Sequence, residues 1–216
     1  MVAQITEGTA FDKRGLPFRR RSMLPGLAVA AVLAVITATV WTIVLTQPAE
    51  IDQVAACNPP PQSEDPDAPR LGEPVANSEM VDVMPAKLAD TRIQVLNASG
   101  QGGQAAEVSG ALRDLGFAQP TAANDPVYAD SRLNCQGQIR FGPDGRATAA
   151  AVWLVAPCTE LFEDQRSDDS VDLALGTDFT TLTHSDDIDA VLAGLRPEAT
   201  EPADPALLKK IHSASC

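Results

Sequence analysis

The sequence is poor in the residues on which most enzymes and nucleic-acid-binding proteins depend. Its 216 residues include only two histidines and one tyrosine, which leaves few candidates for general-base or stacking roles. Sixteen lysines and arginines stand against 29 aspartates and glutamates, so the net charge is −13. Because nucleic-acid phosphates repel such a chain, we predict no nucleic-acid partner. Neither G-K-[ST] nor C-x-x-C occurs, so we predict no cofactor and no metal.

Charge is also absent from the stretch between Met23 and Leu45. At about 1.5 Å per residue, a helix of that length spans roughly 34 Å, enough to cross a hydrocarbon layer of about 30 Å. Trp41 lies near its far end, where interfacial rings are common. The residues before it include Lys13, Arg14, Arg19, Arg20 and Arg21. By the positive-inside rule we predict a cytoplasmic segment at 1–22, a single transmembrane helix at 23–45 and an extracytoplasmic remainder, in the cell membrane.

Three other interpretations fit this segment less well. A cleavable signal peptide has an apolar region of about 7–15 residues and a small-residue cleavage site, and this segment is longer and lacks such a site. Arg20-Arg21 resembles part of a twin-arginine signal, but arginines before an apolar helix are more typical of an anchor. Val54 to Cys57 resembles a lipobox, but Glu50 and Asp52 separate it from the apolar segment.

The part predicted to be exported is strongly acidic, with 11 basic and 27 acidic residues and a net charge of −16. Its first section, 46–90, is rich in proline and poor in apolar periodicity, so we predict an extended stalk. A short strand or helical turn near Met80–Met84 is expected to dock on the domain. We predict the folded domain at 91–196 and a C-terminal tail at 197–216.

Apolar periodicity in the domain alternates between strand-like and helix-like stretches. We predict strands at 92–96, 117–123, 138–141 and 171–175, and helices at 105–115, 145–156 and 186–195. Gly116 is expected to end the first helix and Ser185 to cap the last one. The order predicts an α/β fold, a small βαββαβ-type sandwich carried on the transmembrane helix and stalk.

Four cysteines permit two disulfide bonds in an oxidising compartment. Cys135 precedes the third predicted strand, and Cys158 follows the next helix. Because a helix that returns antiparallel to its strand ends beside the start of that strand, we expect Cys135 to pair with Cys158. Cys57 would then pair with Cys216. Four cysteines allow three pairings, and the sequence alone does not choose among them.

Gly100, Gly102 and Ala105 match G-x-G-x-x-A, one form of the dinucleotide-binding fingerprint. That function requires an acidic residue about 20 positions later, at the end of a second strand. Asp125 has the right spacing, but it lies in a loop before a proline. A strand that reverses into a helix needs a conformationally free residue in any case, so we favour a simple turn.

The run from Ile93 to Gly100, followed by Gly103, an alanine-bearing helix and Gly116-Phe117, resembles the LytR C-terminal domain family. The family pattern is a strand ending in V-x-V-L-N-G-S-G, a glycine, the helix and a terminal G-F, and Ala98 replaces the usual glycine. The likeness covers about residues 91–176. The motif residues are Val95, Leu96, Asn97, Gly100, Gly116 and Phe117.

This resemblance implies a role in the cell envelope and in virulence, and it supplies no catalytic residues. In related proteins the domain often follows a phosphotransferase domain, which we expect to be absent here. We therefore expect a non-catalytic, membrane-anchored protein that supports envelope integrity by binding a cell-wall component or another envelope protein. The alternative is an accessory enzyme or cofactor protein in the attachment of glycopolymers to peptidoglycan.

Few side chains offer specific chemistry for that alternative. His184 and Ser185 are adjacent, and Ser185 is better explained as a helix cap than as a nucleophile. The pairs Asp168-Asp169 and Asp186-Asp187 are better explained as solvated surface and as helix-dipole partners than as catalytic carboxylates or calcium ligands. The candidates for contact with an anionic ligand are Arg92, Arg132, Arg140 and Arg146.

Overall fold

The computed structural model describes residues 24–46, 56–62, 69–200 and 203–212. The chain divides into two units between residues 50 and 51. The first unit contains α1, Leu24–Thr46. Among the described residues it is the one helix long and apolar enough to cross a membrane, judged by length and composition. Its bounds differ by one residue from the predicted transmembrane segment.

The second unit is a mixed α/β domain, which confirms the predicted fold class. Its elements are β1 (Glu73–Pro74), α2 (Asn77–Met80), β2 (Arg92–Asn97), α3 (Gln104–Leu115), β3 (Thr121–Asn124), β4 (Gly137–Phe141), α4 (Arg146–Val155), β5 (Glu160–Glu163), β6 (Ser170–Leu175), α5 (Asp186–Gly194) and α6 (Pro205–His212). Short 3₁₀ turns occupy Leu88–Asp90 and Pro143–Gly145.

The six strands form one sheet in the order β1-β5-β4-β6-β2-β3. Two parallel pairs carry a crossover helix each: β2 and β3 are joined by α3, and β4 and β5 by α4. β6 lies between these pairs, parallel to β2 and antiparallel to β4. All four predicted strands are present, and the sheet gains β1 and β5, which the sequence analysis did not predict.

The helices pack on one face of the sheet and form the main core. Strand alternation directs Ile93 and Val95 of β2 to that face, where they meet the apolar side of α3. The eight residues from Thr148 to Val155 of α4 are buried. Ser185 caps α5 as predicted, since its hydroxyl accepts a hydrogen bond from the Ile188 N–H at 3.2 Å.

The segment before β2 is part of this domain, so the predicted stalk does not extend through residues 71–90, whereas the expected docking near Met80–Met84 is observed. β1 pairs antiparallel with β5 at the edge of the sheet. Met80 and Leu88 are fully buried in the main core. Proline content indicated an extended chain, but these two apolar side chains bury enough surface to hold the segment against the domain.

The predicted C-terminal tail also packs on the domain through α6. Leu208 and Ile211 are buried in the main core, at the spacing of one helical face. The indole ring of Trp153 stacks on the imidazole of His212 with centroids 3.9 Å apart. Residues 205–212 are therefore a further helix of the domain and not an unstructured tail.

Candidate functional site

The loop after β2 is fixed by its own side chains. The Asn97 carboxamide oxygen accepts hydrogen bonds from the backbone N–H groups of Ser99 (3.1 Å) and Gly100 (3.2 Å). The Asn97 amide nitrogen donates to the carbonyl of Gln101 at 2.6 Å. Gly100 and Gly103 have φ angles of 77° and 86°, which favour glycine. These contacts support the interpretation of the loop as a turn.

The other motif residues occupy structural positions around this turn. Val95 and Leu96 are buried on opposite faces of the sheet, one in each apolar cluster. Gly116 ends α3 with φ 104°. The N–H of Phe117 then donates to the carbonyl of Leu112 at 3.1 Å, and the Phe117 ring is buried. The motif therefore specifies a strand, a turn, a helix and a helix end.

The face of the sheet opposite the helices carries a buried ion pair. Arg140 of β4 lies 2.9 Å from the carboxylate of Asp125, and both side chains are almost completely buried. Asp125 also accepts hydrogen bonds from the N–H groups of Val127 (2.6 Å) and Tyr128 (3.1 Å). Asp125 is the residue whose spacing matches the ribose-binding acid of the dinucleotide fingerprint. Its carboxylate is instead buried and bonded within the domain.

The burial of Arg140 corrects the prediction that it contacts a ligand. Its guanidinium donates to the side-chain oxygen of Gln138 and lies 5.7 Å from the centre of the Tyr128 ring. The loop 125–135 covers this half of the face, since its Val127, Tyr128 and Leu133 pack there in the second apolar cluster. Burial raises the pKa of the Tyr128 hydroxyl, an effect that the Gln138 hydrogen bond only partly offsets.

A short strap, residues 56–62, crosses the same half of the face. A disulfide joins Cys57 to Cys135, with Cα atoms 4.9 Å apart. The Asn58 side chain accepts from the N–H of Asn134 at 2.6 Å and donates to the carbonyl of Arg132 at 3.0 Å. The Tyr128 hydroxyl donates to the carbonyl of Asn58 at 2.7 Å.

The predicted pairings Cys135–Cys158 and Cys57–Cys216 are therefore wrong. Cys135 belongs to the apolar cluster on the strap side of the sheet, whereas α4, which leads to Cys158, packs on the other side. The helix does return toward the start of its strand, since Cys158 lines one pocket with Gln136, but Cys135 is bonded to Cys57. Cys158 is also disulfide-bonded, and Cys216 lies outside the described residues.

The uncovered half of the same face is polar and open. A groove of about 850 Å³ lies at the start of β2 and β3, and its lining includes Asp90, Arg92, Gln94, Gln119, Thr121 and Asp169. Arg92 is exposed, and its guanidinium lies 3.3 Å from the Asp169 carboxylate. The remaining predicted contact, Arg146, lies on α4 beside Glu163, with its Nε 3.5 Å from a carboxylate oxygen. The structure does not bring Arg92, Arg140 and Arg146 into one site.

A second ion cluster, missed from the sequence, lies beside β6. Arg166 donates to the carboxylates of Asp164 (2.7 Å) and Asp172 (2.6 Å). Burial alone would raise the pKa of Asp164, but the hydrogen bonds from Arg166 outweigh it and lower that pKa. Asp168 accepts hydrogen bonds from the hydroxyl and N–H of Ser170, which lower the pKa of its carboxyl. Each of these carboxylates therefore has a structural partner, which is Arg166 for Asp164 and Asp172 and Ser170 for Asp168.

Metal ligation has no candidate within the described ranges, where no three His, Cys, Asp or Glu side chains cluster suitably. Burial lowers the pKa of His212 to about 4. The Nδ1 atom of His212 is buried and has no hydrogen-bond partner among the described residues. No local pattern predicts its stacking on Trp153, because the two residues are far apart in the chain.

The family of the chain follows from its sequence relatives. A sequence profile of the family described as LytR cell envelope-related transcriptional attenuator matches residues 90–179, which span β2 to β6. The cell envelope integrity protein Cei of Mycobacterium tuberculosis is 68% identical over 216 residues, and the match covers 100% of both chains. The chain belongs to the Cei family. The resemblance to the LytR C-terminal domain is confirmed.

One solved structure also matches the domain. It is a crystal structure of the soluble domain of a conserved hypothetical secreted protein from Mycobacterium marinum. That chain is 73% identical to this member of the Cei family, with a TM-score of 0.67. The match covers 68% of this chain and 100% of the other.

Proposed function

We propose that this protein is a non-catalytic envelope protein anchored in the cell membrane by α1, with its α/β domain outside the cytoplasm. The observation that carries the proposal is a disulfide-bonded domain that follows an apolar, membrane-length helix. Disulfides persist in oxidising compartments, so the Cys57–Cys135 bond supports an exported position. The basic residues before α1 support a cytoplasmic N-terminus.

The role we infer for the domain is binding, of a cell-wall component or of another envelope protein, in support of envelope integrity and virulence. The names of the relatives support the envelope part of this assignment, since one is called a cell envelope integrity protein and another a secreted protein. The accessory-enzyme alternative lacks a specific observation in its favour. Ser185 serves as a helix cap, and the aspartates near β6 are tied to Arg166 and Ser170.

The test compares rescued strains that lack the chromosomal gene. We would express the full chain, a chain with α1 replaced by a cleavable signal peptide, and a chain with α1 replaced by an unrelated single-pass helix. If anchoring the domain is the function, both anchored forms restore growth under detergent stress and the released form does not. Rescue by the released form would overturn the need for an anchor.

Topology is measured independently in the same strains. Alkaline phosphatase fused after α6 is active only outside the cytoplasm, whereas a fluorescent protein fused before α1 matures only inside. We expect both reporters to be active. An inactive phosphatase fusion would place the domain in the cytoplasm and contradict the proposal.

A further inference from the structure

The two edges of the sheet differ in how they are protected. β1 closes one edge with two residues, and the second of these is Pro74. Short length and proline are common devices against pairing with other chains. β3 forms the other edge with the four residues Thr121, Ala122, Ala123 and Asn124. None of these is charged or a proline, and three of the four are exposed, so the β3 edge is longer than the β1 edge and lacks a proline that would block pairing.

The hydrogen-bond pattern shows which backbone groups of β3 face outward. The N–H of Asp125 donates to the carbonyl of Asn97 in β2 at 3.0 Å. Since N–H groups alternate between the two sides of a strand, those of Ala123 and Thr121 also point toward β2. The N–H and C=O groups of Ala122 and Asn124 therefore point away from the sheet. Within the described part of the chain, they meet no neighbouring strand.

The acidic residues around this edge indicate the sign of charge that a partner segment would carry. Between Arg113 and Arg132 the sequence contains no lysine or arginine, and the guanidinium of Arg113 donates to the carbonyl of Pro120, directly before β3, at 3.3 Å. Asp114 and Asp130 are exposed, and Asp90 shares the polar groove with Thr121. The nearby Arg92 is already beside Asp169. A segment rich in lysine or arginine would be attracted to this edge, as it would be to the exported part as a whole.

The same charge argues against pairing between two copies of the chain. Two β3 edges brought together would juxtapose domains that each belong to an exported part with a net charge of −16. Two domains of the same charge sign repel each other when they are brought into contact, and added salt screens this repulsion. The occupant that fits both the free backbone groups and the charge is therefore a different, basic polypeptide.

We propose that the free edge of β3 accepts an extended, basic segment of another envelope protein, which pairs with it as a seventh strand. Main-chain hydrogen bonds to Ala122 and Asn124 would supply part of the affinity, and the groove of about 850 Å³ at the head of β3 would receive side chains. This inference rests on the proposed role of the domain as a binding module, and it narrows the ligand to a protein segment.

The test uses the full chain in lipid nanodiscs and a displayed library of random seven-residue peptides. Peptides enriched over empty nanodiscs are sequenced, and the most frequent one is synthesised. We expect an excess of lysine, arginine and β-branched residues in the selected set. No enrichment, or enrichment of acidic or purely apolar sequences, would overturn the proposal.

Two matched variants then locate the contact. Ala122→Pro removes an outward N–H while leaving the bonds to β2 intact, and Ala122→Ser retains that N–H. We expect Ala122→Pro to weaken binding of the synthesised peptide by about five- to ten-fold, from a lost hydrogen bond and an obstructed edge, and Ala122→Ser to change it less than two-fold. Equal binding to all three chains would overturn the assignment to β3.

A modified peptide controls for the case in which Ala122→Pro weakens binding only because the variant misfolds. N-methylation of alternate backbone amides of the peptide should abolish binding to the unchanged protein, and amide resonances of Ala122 and Asn124 should shift with the unmodified peptide. Shifts confined to other regions, or concentration-dependent self-association through β3 in place of peptide binding, would contradict the proposal. Because the topology reporters and anchor exchange do not involve β3, failure here is distinguishable from failure of the proposed function.

Discussion

Loss of the Cys57–Cys135 disulfide should destabilise the domain more than loss of any other contact of the strap. The bond closes a loop with a sequence separation of 78 residues. In the chain-entropy model, a loop of that length corresponds to about 4.5 kcal/mol of unfolding free energy. The side-chain hydrogen bonds of Asn58 are partly exposed, so they should contribute about 1–2 kcal/mol together.

The measurement is urea unfolding of the full chain in detergent micelles, followed by the fluorescence of buried Trp153 in a Trp41→Phe background. Cys57→Ala combined with Cys135→Ala removes the bond without leaving a free thiol. We expect this double variant to lose about 3–5 kcal/mol and Asn58→Ala to lose about 1–2 kcal/mol. A smaller loss in the double variant than in Asn58→Ala would refute the reasoning, as would peptide mapping that joins Cys135 to Cys158.

Three further predictions concern the Asp125–Arg140 ion pair, His212 and the Asn97 turn. Asp125→Asn should cost about 3–5 kcal/mol in urea unfolding by leaving Arg140 buried without its partner, and adding Arg140→Met should recover part of that loss; additive costs would contradict the pairing. Because the folded-state pKa of His212 is lowered to about 4 from 6.5, its contribution to stability is complete above pH 6.5 and is lost as the pH falls toward 4. Because His212 is partly exposed, we expect this loss of unfolding free energy to be about 1–2 kcal/mol. Thermal melting at decreasing pH should show the loss in the unchanged chain but not in His212→Phe. Asn97→Ala should lower the unfolding free energy by about 1–2 kcal/mol without altering any binding site; an unchanged melting temperature would contradict its role in the turn.

Local patterns in the sequence were sufficient to predict most of the helices and strands of the domain. The alternation in β2, the spacing of apolar residues in α3 and the cap at Ser185 each depend on residues close in the chain. β5 has only four residues, of which Glu160 and Glu163 carry charge. Such a short strand lacks periodicity, and its place beside β4 is set by the crossover through α4. β1 is shorter still, so no local pattern could have predicted it.

The cysteine pairing failed for a different physical reason. α4 does end near the start of β4, where Cys158 and Gln136 line one pocket. The direction of a helix along a strand does not specify, however, which face of the sheet a neighbouring side chain occupies. The face is decided by the two-residue alternation and by what covers each side. Cys135 packs with Leu133 and Tyr128 beneath the strap, a contact that depends on a segment more than 70 residues earlier.

The sheet face opposite the helices has one half covered by the strap and one half open to solvent. The covered half determines which charged side chains remain accessible on the open half and at the edge of β3. The strap, the loop 125–135 and the Cys57–Cys135 bond bury Arg140 and remove it from the set of available cations. Arg166 is likewise held by two aspartates, and Arg92 lies against Asp169. These three arginines are held by four aspartates, so the ion pairs remove at least as much negative as positive charge from the surface. The acidic excess of the domain therefore comes from its composition, and it is this excess on which the proposed preference for a basic segment over an anionic glycopolymer depends.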